Sequence, residues 1–152
     1  MQNRRTFVTL ATVIILAAPV TAAAQAPALT WGPAPAVFPA GARMAVLQGD
    51  PGKAELFTVR LQMPAGYTIP PHWHPTDEHV TVISGALKLG MGEKIDQSHA
   101  TRLPAGGFVT AGAKMNHWAQ ATGKTVVQVH AMGPFQLTYV NPKDTPVVKA
   151  GQ

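Results

Sequence analysis

Residues 66–85 read GYTIPPHWHPTDEHVTVISG, and their pattern is the strongest indication of the fold. Side chains two positions apart lie on the same face of a β-strand, so His72 and His74 point one way and Trp73 the other. Glu78 keeps the parity of the apolar residues that follow it, which places its carboxylate on the inner face of the next strand. Two imidazoles and a carboxylate that converge from one pair of strands suit a divalent transition metal, with a third imidazole supplied by another strand.

Short β-rich runs separated by turns continue this pattern along the chain from position 44. The 14 glycines and 14 prolines interrupt any helix every few residues. Without helices, the strands must pair antiparallel, because parallel pairing requires long crossover connections. The sequence therefore predicts an all-β, antiparallel sandwich or barrel with ten strands, at 44–48, 56–63, 67–70, 79–84, 86–91, 100–103, 108–111, 116–121, 125–130 and 135–140.

Length and composition exclude several classes of protein. With 152 residues the chain forms a single domain, and 46% hydrophobic against 12% charged residues excludes a disordered protein. The absence of cysteine excludes disulfides, thiolate nucleophiles and cysteine-ligated metals, so any metal site uses histidine and carboxylate. The 12 lysines and arginines are scattered singly, which argues against nucleic-acid binding.

The first 24 residues have the layout of a secretory signal peptide, which has a basic start, an apolar run and small residues before the cleavage site. Arg4 and Arg5 precede an apolar run over 7–20, too short for the roughly 20 residues of a membrane-spanning helix. We therefore expect cleavage after Ala24 and a periplasmic or secreted protein with no membrane contact afterwards. The arginine pair also resembles the twin-arginine export pattern.

The remaining chain divides into three parts. Residues 25–44 are rich in proline and are predicted to form an extended arm that lies on the domain or on a partner subunit. Residues 45–142 form the predicted β domain, and residues 143–152 a C-terminal tail.

The histidine-containing stretch resembles the first motif of the cupin superfamily, a group of small β-barrels. That motif runs Gly, five residues, His-x-His, three or four residues, Glu, six residues, Gly. The chain fills every fixed position, from Gly66 through His72, His74 and Glu78 to Gly85. The resemblance implies an antiparallel β-barrel or jelly roll.

The second cupin motif is matched less completely. It runs Gly, five residues, Pro-x-Gly, two residues, His, three residues, Asn. Aligned on His117 and starting at Gly106, the chain has Gly112 in place of the proline, Lys114 in place of the glycine and Ala121 in place of the asparagine. The histidine is kept, and the turn residues are not.

The resemblance implies that His72, His74, Glu78 and His117 bind one metal inside the barrel. Three imidazoles and one carboxylate leave two positions open on an octahedral ion, where a substrate and dioxygen or water bind. These ligands favour Fe or Mn, with Ni, Cu and Zn as alternatives. A closed, tetrahedral zinc site with a structural role is the other reading.

The other histidines are weaker candidates. His79 adjoins Glu78 but points to the outer face by parity, and His99 lies in a polar loop where it is expected to be solvated. His130 shares a strand face with Gln128. This polar pair either lines the cavity beside the metal or makes ordinary hydrogen bonds at the surface, and the second reading is favoured.

The signal-like segment implies export, and the resemblance implies a metal-dependent enzyme of the dioxygenase type that acts on a small organic substrate, with Glu78 also acting as a catalytic base. A non-catalytic small-molecule binding module and a metal-dependent lyase or isomerase are the alternatives. Lys114, near the expected cavity mouth, would favour an anionic ligand in any of these. Because sheet edges need covering, we also expect a homodimer.

Overall fold

The structure is a computed structural model that describes residues 28–147, and it is almost entirely β. The predicted signal peptide and the last five residues of the predicted tail lie outside these residues. Among residues 28–147 we find no helix with the length and hydropathy of a membrane span. The strands are β1 (Gly32–Pro33), β2 (Arg43–Gln48), β3 (Leu56–Met63), β4 (Thr68–Trp73), β5 (Glu78–Ser84), β6 (Ala86–Met91), β7 (Thr101–Pro104), β8 (Phe108–Ala111), β9 (His117–Ala121), β10 (Thr125–Met132) and β11 (Thr138–Tyr139).

The strands form two antiparallel sheets of a jelly roll, as the sequence predicts. The first sheet has the order β1-β2-β3-β10-β5-β8, and the second has the order β11-β4-β9-β6-β7. The two sheets do not join by hydrogen bonds into a closed barrel, so each keeps two edge strands. Several pairs of strands that follow one another in sequence, such as β4 and β5, lie in opposite sheets and bring their residues to a shared interior.

The core lies between the sheets and follows from the alternation of side chains along each strand. In β3, Phe57, Val59 and Leu61 are buried, while Arg60 and Gln62 lie on the outer face. A period of two is the pattern of a strand with one face in a core and the other towards solvent. The inner faces of both sheets therefore pack into one apolar interior.

The proline-rich arm lies on its own domain. Phe38 is only 6% exposed and belongs to the apolar core. Tyr67, just before β4, donates a hydrogen bond to the Pro39 carbonyl, and Tyr139 in β11 donates one to the Val37 carbonyl. The arm thus joins the β1–β2 side of the first sheet to the β4–β11 side of the second.

The predicted strands agree with the observed ones most closely where the apolar alternation is regular. The prediction for 67–70 is too short, because β4 continues to Trp73 through an irregular register between Ile69 and His72. The prediction for 135–140 is too long, since only Thr138–Tyr139 pairs with β4. Phe135 lies outside the ladder because its backbone NH donates to the Pro51 carbonyl.

Candidate metal site

Three histidines from the second sheet meet in the interior. His72 in β4 is the cross-strand neighbour of His117 in β9, and His74 follows the end of β4. Their ring centroids are 4.3 to 5.3 Å apart, and one nitrogen of each lies within 4.8 Å of the others. Each ring is less than 5% exposed. This geometry can hold a single metal ion on three imidazoles.

The outer nitrogen of each imidazole is fixed by the backbone. Nδ1 of His72 lies 2.7 Å from the Pro70 carbonyl, and Nδ1 of His117 lies 3.0 Å from the Met115 carbonyl. Nδ1 of His74 lies 2.7 Å from the carbonyl of Gln136. A carbonyl oxygen only accepts hydrogen bonds, so each Nδ1 carries the proton. Nε2 of a neutral ring is left with a lone pair, which is the form that binds a metal.

Glu78, the first residue of β5, approaches two of the histidines from the first sheet. Its Oε2 is 3.5 Å from Nε2 of His74 and 3.6 Å from Nε2 of His117. The Glu78 side chain is buried, and Nε2 of His74 has no hydrogen-bond partner. The carboxylate and the imidazoles therefore face one another across a short gap in the interior.

Electrostatics within the cluster favour one anionic carboxylate and a neutral His72. Burial, and then the neighbouring His117 and His74, lower the pKa of His72 to about 3. Burial alone would raise the pKa of Glu78, but His117 and His74 outweigh it and hold that pKa below its ordinary range. Burial likewise opposes charge on His74, yet the Glu78 carboxylate raises the pKa of this imidazole.

The loop 112–116 supports two of the histidines at once. The backbone NH of Lys114 donates to the His74 carbonyl over 2.8 Å, and Met115 supplies the acceptor for His117. Asp77 caps the loop by accepting a hydrogen bond from the Ala113 NH at 2.7 Å. Lys114 has a φ of 60°, so it takes the left-handed conformation that glycine normally occupies. Lys114 stands where the second cupin motif has a glycine, and it adopts a backbone conformation that glycine takes readily.

The cluster opens onto a cavity of about 40 Å³, room for roughly three water molecules. Apart from the three histidines and Glu78, the described residues that line it are apolar. Phe135 covers one side, with its ring stacked on His74 at 5.2 Å. The three histidines and Glu78 are therefore the polar groups available to a ligand in this cavity, and the rest of its described wall is apolar.

The remaining histidines lie away from this cluster. The ring of His79 bonds Thr110 on the outer face of the first sheet. His130 also faces outward, with its Nδ1 2.7 Å from Oγ1 of Thr58, so the idea that it lines the cavity is wrong. The inward positions of β10 belong to apolar residues, because parity places His130 on the opposite face. His99 is the exposed last residue of a short 3-10 helix (Gln97–His99) that Asp96 caps.

The backbone acceptors at Pro70, Met115 and Gln136 were not found by sequence reasoning. A carbonyl is present at every residue, so nothing in the residue types marks these three. No sequence signal marks Phe135 as part of the site, because its stacking on His74 depends on how the chain crosses from β10 to β11.

The donor set fits a metal ion, judged by the chemistry of these atoms. The Nδ1 atoms of three buried imidazoles face carbonyls, so Nε2 of each neutral ring has a lone pair, and Nε2 of His74 has no hydrogen-bond partner. An anionic carboxylate oxygen adjoins two of these nitrogens. Buried polar atoms are almost always paired, and a metal ion held by the three histidines would pair this nitrogen.

Comparisons with known proteins agree with this fold. The family model of the cupin domain matches residues 59–133. No curated protein sequence matches the chain significantly.

Among solved structures, a protein of Methylibium petroleiphilum PM1 proposed as an acetylacetone dioxygenase is 22% identical, with a TM-score of 0.59 over 79% of this chain and 81% of that one. The polyketide cyclase RemF of Streptomyces resistomycificus is 18% identical, with a TM-score of 0.56 over 69% and 75% of the two chains. KdgF of Halomonas sp. is 18% identical, with a TM-score of 0.53 over 68% and 84%. At these identities the likeness concerns the fold.

Proposed function

Because the chain belongs to the cupin superfamily, we propose that it is an exported, metal-dependent enzyme of the dioxygenase type acting on a small organic substrate. The observation that carries this proposal is the convergence of three Nε2 lone pairs, from His72, His74 and His117, beside the Glu78 carboxylate. Fe or Mn is the metal that these ligands suit first, followed by Ni, Cu and Zn. Such an ion would supply open coordination positions for a chelating substrate and dioxygen.

The histidines, Glu78 and the apolar lining have different roles in the proposed site. The three histidines orient their Nε2 atoms, because the Nδ1 protons are held by backbone carbonyls. Glu78 is a fourth ligand and also a base, since its anionic Oε2 can accept a proton from a substrate held in the cavity. The apolar lining excludes bulk water, which strengthens electrostatic interactions with this carboxylate.

The first test is metal analysis of the mature protein, isolated from its exported location without an affinity tag that carries metal. We expect near-stoichiometric iron or manganese in the wild type and loss of most of it in both His74→Ala and His117→Ala. His99→Ala is the matched control, because this exposed histidine lies outside the cluster and its removal should leave the metal content unchanged. Metal that persists in both cluster variants would overturn the proposal.

Oxygen uptake with a panel of small chelating substrates then tests the reaction. Consumption of oxygen that depends on both metal and substrate supports a dioxygenase. Turnover of a substrate without oxygen would instead indicate a lyase or isomerase. Stoichiometric zinc with neither activity would indicate a structural or binding site.

Export is part of the proposal and rests on the signal-like segment 1–24. Cell fractionation followed by intact-mass measurement tests it. A mature chain that begins at Gln25 in the exported fraction supports the proposal, whereas a full-length chain in the cytoplasm would contradict it.

We also propose that the protein is a homodimer. The edge strand β8 exposes Phe108, of which 58% is accessible, and unpaired edges invite contact with another chain. Size-exclusion chromatography with light scattering distinguishes a dimer from a monomer, and a monomeric mass at micromolar concentration would overturn this part of the proposal.

A further inference from the structure

The N-terminal arm contributes a side chain to the cavity of the candidate metal site. Phe38 lines this cavity and is 6% exposed, although it lies far in sequence from the strands that carry the histidines. The carbonyls of both flanking residues are fixed. Tyr139 donates to the Val37 carbonyl over 2.8 Å, and Tyr67 donates to the Pro39 carbonyl over 2.5 Å. Two hydroxyl groups thus clamp the backbone on either side of Phe38.

Aromatic packing links the arm to one of the histidines. The Phe38 and Phe135 rings are stacked with centroids 5.8 Å apart and planes inclined by 18°. Phe135 is in turn stacked on His74 at 5.2 Å and 26°. The Phe38 ring therefore packs behind the ring that covers His74, and both rings limit the free space in the cavity.

The cavity is small and uncharged beyond the histidine–glutamate cluster. Its volume is only about 40 Å³, and no described lysine or arginine lines it. A ligand held there can pair its polar atoms only with the cluster, and its remaining atoms must fit an apolar wall. Burying a charged group against such a wall is costly.

We propose that Phe38, clamped by Tyr67 and Tyr139, is a specificity-determining residue that restricts the site to compact chelators with an uncharged, apolar body. This inference rests on the proposed function, because the chelator needs a metal to bind. Phe38 sets the size limit because shortening it enlarges the cavity next to Phe135 without removing any histidine or Glu78.

The test uses the full mature protein loaded with cobalt(II), whose visible absorption changes when a ligand binds. Acetohydroxamate and benzohydroxamate present the same chelating group and differ only in a methyl or a phenyl substituent. We expect the wild type to bind acetohydroxamate more tightly. In Phe38→Ala the affinity ratio should shift towards benzohydroxamate by at least about tenfold, the scale at which hydrophobic pockets discriminate size.

Two further variants make the result decisive. Phe38→Leu should shift the ratio in the same direction but less, and it decides the outcome if Phe38→Ala does not fold. Phe57→Leu is the matched control, because Phe57 is fully buried and contacts Phe135 edge-on but does not line the cavity. Its ratio should equal that of the wild type.

The outcomes separate the two proposals. If the wild type binds no cobalt, the proposed function fails, and the size limit fails with it. If cobalt binds but the ratio is unchanged in both Phe38 variants, or changes equally in Phe57→Leu, only the role of Phe38 is overturned. Equal affinity of the wild type for both hydroxamates would also overturn it.

Discussion

Lys114 has a strained backbone conformation that helps to shape the site. Its φ of 60° is the left-handed region, where a side chain costs roughly 1–3 kcal/mol relative to a relaxed backbone. Lys114 is the one described residue other than glycine with such a φ. Its backbone NH is bonded to the carbonyl of His74, so the conformation serves the loop that supports the cluster.

Replacing Lys114 with glycine should therefore stabilise the protein. We expect Lys114→Gly to raise the free energy of unfolding by about 1 kcal/mol, after allowing for the greater freedom of glycine in the unfolded chain. Chemical denaturation measures this change. Lys114→Ala is the control, since alanine keeps the strained φ and should bring no gain. An equal gain in both variants would show that the lysine side chain, and not the backbone, is responsible.

Gly90 is required for a different reason, which is space. A Cβ at this position would lie 2.4 Å from Nε1 of Trp118, its cross-strand neighbour. The Trp118 side chain is fully buried and cannot move aside. We expect Gly90→Ala to lower the free energy of unfolding by roughly 1–3 kcal/mol, the usual cost of overpacking. In the control Gly123→Ala nothing lies within 4 Å of the new methyl group, and a comparable loss there would contradict this explanation.

The arm is the element whose attachment can be tested most directly. Burial, and then the nearby Tyr139, raise the pKa of the Tyr67 hydroxyl above its ordinary value of about 10. Because the pKa is raised in the folded protein, the neutral hydroxyl stabilises the fold fully below about pH 10. This contribution is lost as the pH rises further.

Tyr67→Phe removes the hydroxyl and with it this dependence on pH. We expect the variant to be less stable than the wild type by about 1 kcal/mol at pH 7, from the lost hydrogen bond to Pro39. Above pH 10 the difference should shrink, as measured by urea unfolding between pH 7 and 11. A difference that stays constant over this range would show that the Tyr67 hydroxyl does not stabilise the arm in its neutral form.

At the level of the strands, the sequence predicts the structure well where inner and outer residues alternate. The bounds of β3, β6 and β8 agree with the prediction because each is a regular run between turns. The arm could not be placed, since proline-rich sequence has no period that distinguishes packing on the domain from packing on a partner. The predicted strand 135–140 is longer than β11 because phenylalanine is common in strands. In the structure the backbone NH of Phe135 instead donates to the Pro51 carbonyl, outside the sheet.

For the molecule as a whole, metal binding should be visible as stability. A ligand that binds only the folded protein stabilises it by about 2.7 kcal/mol at a hundredfold excess over its Kd. For a domain of this size that corresponds to a rise in Tm of roughly 10 °C. We expect such a rise on adding Fe(II) or Mn(II) without oxygen, reversal by a chelator, and no rise in His74→Ala. An equal rise in His74→Ala would place the bound metal elsewhere.

The sequence points to the side chains of the candidate site, but it does not reveal the backbone carbonyls that hold the imidazoles. Strand parity brings His72 and His74 to one face and places Glu78 on the inner face of the next strand, and the cupin resemblance adds His117. The prediction could not show that the Nδ1 atoms are held by carbonyls, because that depends on how β4, β9 and the β10–β11 connection approach one another. Strand parity alone also could not show which face of β10 points inward, so the sequence did not decide whether His130 lines the cavity.

The use of carbonyl oxygens to hold the three imidazoles has a consequence for how the sequence can drift. A carbonyl survives every substitution of its own side chain, so Met115 and Gln136 can change freely while the histidines keep their orientation. Mutational scanning should therefore find that the histidines tolerate no substitution, whereas the residues that supply the carbonyls, Met115 and Gln136, tolerate many. Insertions and deletions in the loop 112–116 would be tolerated least, because they displace two supports in one event. The orientation of the three histidines therefore depends more on the length and path of the backbone than on the side chains of the supporting residues.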